Sequence, residues 1–152
     1  MNNKKMLIFA LMLLISAAGV FACEFTFTLT TPDGNTNRLT PADSVSLEEG
    51  RQYVLSVSYV EDHKKCAVPP EDTLFLLEDE RWKTGKDYLP LALMSSGGWI
   101  NDGRSHSISF TFTASRQGSF PLAIIRECAR GGYSASLHFA VAQAGTAKLS
   151  GI

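Results

Sequence analysis

Alternation with a period of two constrains this chain more than any other feature. Phe25, Phe27 and Leu29 alternate with Thr26, Thr28 and Thr30, and Tyr53, Leu55, Val57 and Tyr59 share a parity opposite to Ser56 and Ser58. Ile108, Phe110 and Phe112 alternate with Ser107, Ser109, Thr111 and Thr113, and Tyr133, Ala135, Leu137, Phe139 and Val141 complete the series. Successive side chains of a strand point to opposite faces, so each run has one apolar face and one hydroxyl-bearing face. Shorter segments fit the same scheme: Val45 with Leu47, Phe120 with Leu122 and Ile124, and a short strand within residues 89–93. The continuous apolar run 74–77 predicts a strand buried on both sides. Strands with one apolar face bury it by pairing sheets face to face. The expectation is all-β: an antiparallel sandwich of about seven strands forming one domain over residues 23–142, followed by a small, polar tail at 143–152.

The amino terminus follows a different rule. Lys4 and Lys5 precede an apolar run of about 15 residues, Met6 to Val20, and then Val20-Phe21-Ala22 before Cys23. That order of basic, apolar and small residues is an export signal, too short to span a bilayer as a helix and expected to be removed as residues 1–22. Without it the chain keeps 12 basic and 15 acidic residues, a net charge of −3. No basic surplus is present to neutralise a phosphate backbone, so nucleic acid is not expected as a partner. The predicted location is outside the reducing cytosol, in a periplasm or attached to a cell surface or outer membrane.

Residues 115–118 turn the chain between the run 107–113 and the run 118–122, and the two are expected to form a hairpin. That segment, with Phe120 shortly after Gly118, resembles the penultimate hairpin of immunoglobulin-like and fibronectin-type sandwiches. The resemblance extends over residues 24–142 as a pattern of strands and implies architecture alone, since such folds host many functions. The two mid-strand cysteines around a core Trp that mark antibody domains are not in this sequence.

Cys23, Cys66 and Cys128 are an odd number for an oxidising compartment. Val20-Phe21-Ala22-Cys23 resembles a loose bacterial lipobox, which implies acylation of Cys23 and membrane attachment through it; ordinary cleavage before Cys23 is the alternative. Cys66 and Cys128 follow two strands whose ends fall at the same end of the sandwich, and a disulfide there would close about 62 residues and stabilise by roughly 4 kcal/mol. His63 stands three residues before Cys66, so a metal or thiol-redox site of His63, Cys66 and Cys128 is the alternative use of the same groups.

No Gly-x-Ser-x-Gly, zincin or phosphate-loop pattern is present, and the chain is expected to be non-enzymatic, without a cofactor. Loops at one end of the sandwich carry Arg126, Arg130 and Tyr133, residue types enriched at contact hot spots, and Trp82 with Trp99 form a second candidate patch. Mixed charges such as Glu78-Asp79-Glu80-Arg81 read as solvated surface. The sequence therefore predicts an exported binding or accessory module with a protein partner.

Overall fold

The inward-facing residues of the alternating runs meet in one core between two sheets, seen in a computed structural model that describes residues 23–62, 66–128 and 131–145. Eleven strands are formed in chain order among those residues. They are β1 (Cys23–Thr30), β2 (Thr36–Leu39), β3 (Ser44–Glu48), β4 (Gln52–Glu61), β5 (Leu74–Leu77), β6 (Glu80–Arg81), β7 (Leu91–Ser96), β8 (Ile100–Asp102), β9 (Ser105–Ala114), β10 (Gly118–Arg126) and β11 (Tyr133–Ala142). One sheet runs β2-β1-β4-β9-β7 with β8 added on β9, and the other runs β3-β11-β10-β5-β6. The orders β1-β4-β9-β7 and β5-β10-β11 are those of strands A-B-E-D and C-F-G of an immunoglobulin sandwich. The molecule is an immunoglobulin-like, all-β sandwich. One pairing departs from the antiparallel expectation, since β3 crosses to the second sheet and lies parallel to β11, with Val45 opposite Phe139.

Register explains the core. Leu29, Leu55 and Phe110 are aligned across β1, β4 and β9, and Phe27, Val57 and Ile108 form the next inward row. Their neighbours on the outer face are Thr28, Ser56 and Ser109, with Ser56 Oγ and Ser109 Oγ 3.0 Å apart. Phe112 joins the two sheets: it is fully buried, and its ring centroid lies 5.8 Å from Tyr53, 5.3 Å from Trp82 and 6.0 Å from Phe139. Aromatic pairs at these spacings add to the stabilisation from burial alone.

Three expectations are corrected. The runs at 107–113 and 118–122 do not form a hairpin: β9 pairs with β4, β7 and β8 in one sheet, and β10 with β11 and β5 in the other. The end of β9 is held to its own sheet, where Ala114 N donates to Arg51 O, so the chain crosses the core at residues 115–117. Gly118 opens β10 at φ 139°, a left-handed conformation that favours glycine. The strand β5 is half-buried, with Phe75 and Leu77 inward and Leu74 exposed, because nothing covers its outer face among the described residues. The connection between β5 and β9 contains β6, β7 and β8, where only one short strand was expected.

The export signal at residues 1–22, and most of the tail, lie outside the described residues. Among the described residues no helix is long and apolar enough to cross a membrane.

Candidate functional site

Strands β4 and β10 both end at the same end of the sandwich, and the chain leaving β4 is tied there to the last residue of β10. Arg126 continues the inward parity of Phe120, Leu122 and Ile124, so its side chain enters the core and is 1% exposed. A buried guanidinium needs acceptors for its donors. Nη1 donates to Pro69 O at 2.9 Å and to Thr73 Oγ1 at 3.2 Å; Nη2 donates to Val68 O at 2.7 Å and to Cys66 Sγ at 3.4 Å. The cation also lies 4.6 Å from the Tyr59 ring centroid. Burial opposes its charge, but Tyr59 and the Cys66 and Cys23 thiols outweigh that effect, and the group is held above its ordinary pKa.

Around this cation stand further groups with little solvent contact. Cys23, the first residue of β1, is buried opposite Glu61, the last of β4. Burial raises its thiol pKa, and the Arg126 cation opposes the rise. Phe25 stacks between Tyr59 at 4.8 Å and Tyr133 at 4.1 Å. His106, also buried, places Nδ1 2.8 Å from Asn101 Oδ1 and Nε2 3.2 Å from Glu61 Oε1. Two buried polar atoms in this cluster, Tyr59 Oη and Arg126 Nε, have no hydrogen-bond partner among the described residues. An open depression of about 470 Å³ adjoins it, floored by Cys23, Phe25 and Tyr133 and rimmed by Val60, Glu61 and Arg104. A larger one of about 580 Å³ lies at the opposite end, around Arg51 and Tyr53.

The residues proposed from sequence separate into groups. Arg126 and Tyr133 are brought together, directly opposite in the β10–β11 register, but Arg126 is a buried organiser and not an exposed contact. Trp82 is also internal, 4% exposed, with Nε1 donating to Leu91 O at 2.7 Å. Trp99 is half-buried against Tyr59 and Phe75 and is not among the residues lining the depression. Cys66 and Cys128 are both half-exposed, and no disulfide joins them; all three cysteines are free thiols here. Arg130 and His63 lie outside the described residues. No group of three or more metal-binding side chains occurs among the described residues. His106 went unnoticed in the sequence, although it shares the inward parity of Ile108, Phe110 and Phe112, which was a readable sign of burial.

Close packing at this end gives one testable position. A Cβ added to Gly132 would lie 2.8 Å from Arg126 O, a backbone atom that cannot swing aside as the end of a side chain can. Gly132→Ala should therefore cost about 1–3 kcal/mol by displacing the β10–β11 connection. Urea unfolding checks it, and a change below about 0.5 kcal/mol would contradict the close approach.

Titration gives another. Burial holds Cys23, Tyr59 and Tyr133 above their ordinary values of 9.0 for the thiol and 10.0 for the phenols. An acid whose folded pKa is raised contributes stability that is complete below its unfolded pKa and lost as pH climbs toward the folded one. The melting temperature should stay level up to about pH 9 and fall above it. Tyr59→Phe with Tyr133→Phe should reduce the fall above about pH 10, and a level melting temperature to pH 11 would refute the assignment.

No protein-family model matches the chain, and no curated protein matches it. Solved structures similar to it include the GspB Siglec domain, at 6% identity and TM-score 0.47, covering 77% of this chain and 57% of that one. The titin M10–obscurin-like 1 immunoglobulin complex gives 12% identity and TM-score 0.38, with 79% and 97% covered. Domains 4 and 5 of the S-layer protein SbsC give 10% and 0.33, with 76% of each chain covered. At these values the likeness concerns sandwich architecture and assigns no activity or partner.

Proposed function

We propose that the chain is an exported, non-enzymatic binding module that engages a protein partner at the end of the sandwich where β1, β4 and β10 meet. The observation that carries this reading is the fixed arrangement there. Arg126 ties residues 66–73 to β10, beside a depression with an apolar floor and a rim of both charges. An apolar centre with a polar rim is the anatomy of a protein contact, and a loop ordered in advance loses less entropy on binding. Val60, 48% exposed in a strand otherwise rich in hydroxyls, supplies apolar surface at the edge of the depression. The basic-then-apolar amino terminus supports export, with the mature chain starting at Cys23.

Photo-crosslinking in the native cell tests the site. A benzophenone amino acid at position 24 or 60 should yield an adduct of one recurring mass, whereas positions 33 and 51 at the opposite end should yield none. Equal adducts from both ends, or none from any position, would overturn the assignment. Intact mass of the recovered protein reads the cleavage site.

A further inference from the structure

We propose that Cys23 and Cys66 are a redox-active thiol pair that closes to a disulfide beside the buried Arg126. The proposal rests on the export reading only for the source of its oxidant.

Topology brings the pair together although 43 positions separate them in sequence. Cys23 opens β1 directly opposite Glu61, the last residue of β4, and the chain then needs five residues to reach Cys66. Arg126 reaches this end from the other sheet. Its Nη2 is 3.4 Å from Cys66 Sγ, and its cation lies over the Tyr59 ring, on the inward face of β1 and β4 that Cys23 shares. One planar group therefore binds Cys66 and covers the inward row next to Cys23. The surroundings are polar and incompletely satisfied: Arg126 Nε and Tyr59 Oη are buried without a partner among the described residues. Cys66, partly accessible and 3.4 Å from the guanidinium, has the electropositive setting in which cysteines react, while Cys23, enclosed behind it, takes the part of the resolving thiol. Cys128 is two residues beyond Arg126, and it is left as the odd thiol.

Exposure sets the order of events. Cys66 is half-exposed and Cys23 is 3% exposed, so an external disulfide reaches Cys66 first. The Cys66 thiolate attacks one sulfur of a disulfide-bearing oxidant, forming a mixed disulfide and releasing the first oxidant thiolate. Cys23, after losing its proton to solvent, attacks Cys66 Sγ, forming the Cys23–Cys66 bond and releasing the second. Two electrons pass to the oxidant, and its two thiolates take up the two protons. The closed form fastens the start of β1 to the chain leaving β4, beside the depression proposed to receive the partner. Acylation of Cys23 would occupy the same sulfur, so the two fates exclude each other.

The test uses protein expressed from the full coding sequence, acid-quenched on recovery, blocked with N-ethylmaleimide and digested without reduction. A peptide containing residue 23 should be linked to one containing residue 66, with Cys128 carrying the maleimide. Cys128→Ser should keep the link, and Cys23→Ser or Cys66→Ser should lose it. Titrated in glutathione buffers, the link should open and close in a single two-electron transition. A 66–128 link, diacylglycerol on Cys23, or three blocked thiols after oxidised glutathione would each overturn the pairing. Intact mass separates the two readings: a chain that keeps residues 1–22 in the cell ends the export reading. The pairing is then judged on that purified chain, reduced and exposed to oxidised glutathione, where a 23–66 link supports it and a 66–128 link refutes it.

Discussion

Replacing Arg126 with methionine should lower the unfolding free energy by about 3 kcal/mol, although the substitution keeps much of the apolar stem. The loss comes from the acceptors left behind. Val68 O, Pro69 O and Thr73 Oγ1 each lose a donor, and a buried acceptor without a partner costs about 1–3 kcal/mol, less where water can reach it. Removing the desolvated cation offsets part of this. Arg126→Lys should recover little, because an ammonium is a point charge and cannot span acceptors that the planar guanidinium reaches with two nitrogens. Urea unfolding measures the total, and amide exchange at residues 66–73 shows where it falls. The tie is the cause if exchange quickens there while β4 and β9 stay protected. A loss below about 1 kcal/mol would mean that desolvation of the guanidinium cancels its hydrogen bonds.

The largest loss is expected in the middle of the sandwich. Phe112→Ala removes a ring that contacts Tyr53 on its own sheet, Phe139 on the facing sheet and Trp82 at the edge. Tyr53 and Phe139 belong to paired strands with fixed register, and Trp82 is held by its donations to Phe75 O and Leu91 O, so they cannot collapse into the space. A cost of about 4 kcal/mol follows, from lost transfer free energy plus the cavity. Domains of this kind have only about 5–15 kcal/mol in total, so this single change removes a large fraction. Calorimetry should record a melting temperature lower by about 15 °C, and Phe112→Leu a much smaller drop. A fall under about 5 °C for the alanine variant would show that the two sheets can close over the gap.

The strands most visible in the sequence are those with several inward aromatics, such as β1, β4 and β9, because a large apolar residue at every second position has no other economical fold. Strands β2 and β8 carry no such signal. Thr36–Leu39 has one buried residue, and Ile100, the apolar residue of β8, is exposed. Periodicity also fails to say which sheet a strand joins, and this is why β9 and β10 read as a hairpin although they face each other across the core. Arg126 was singled out by residue type, and its position in the alternation carried the more accurate message: an arginine in phase with Phe120, Leu122 and Ile124 is buried. The placing of Cys23 at the end of β4 had no local trace, since it depends on the pairing of β1 with β4.

The parallel contact between β3 and β11 bears on how the domain carries load. Cys23 lies at the Arg126 end, and Ala142 at the other, where its carbonyl accepts from Glu49 N. A pull between residues 23 and 142 therefore runs along the strands. Because β3 is parallel to β11, such a pull reaches the paired stretch from Ser44–His138 to Glu48–Ala142 as shear, loading its hydrogen bonds together instead of opening them one at a time.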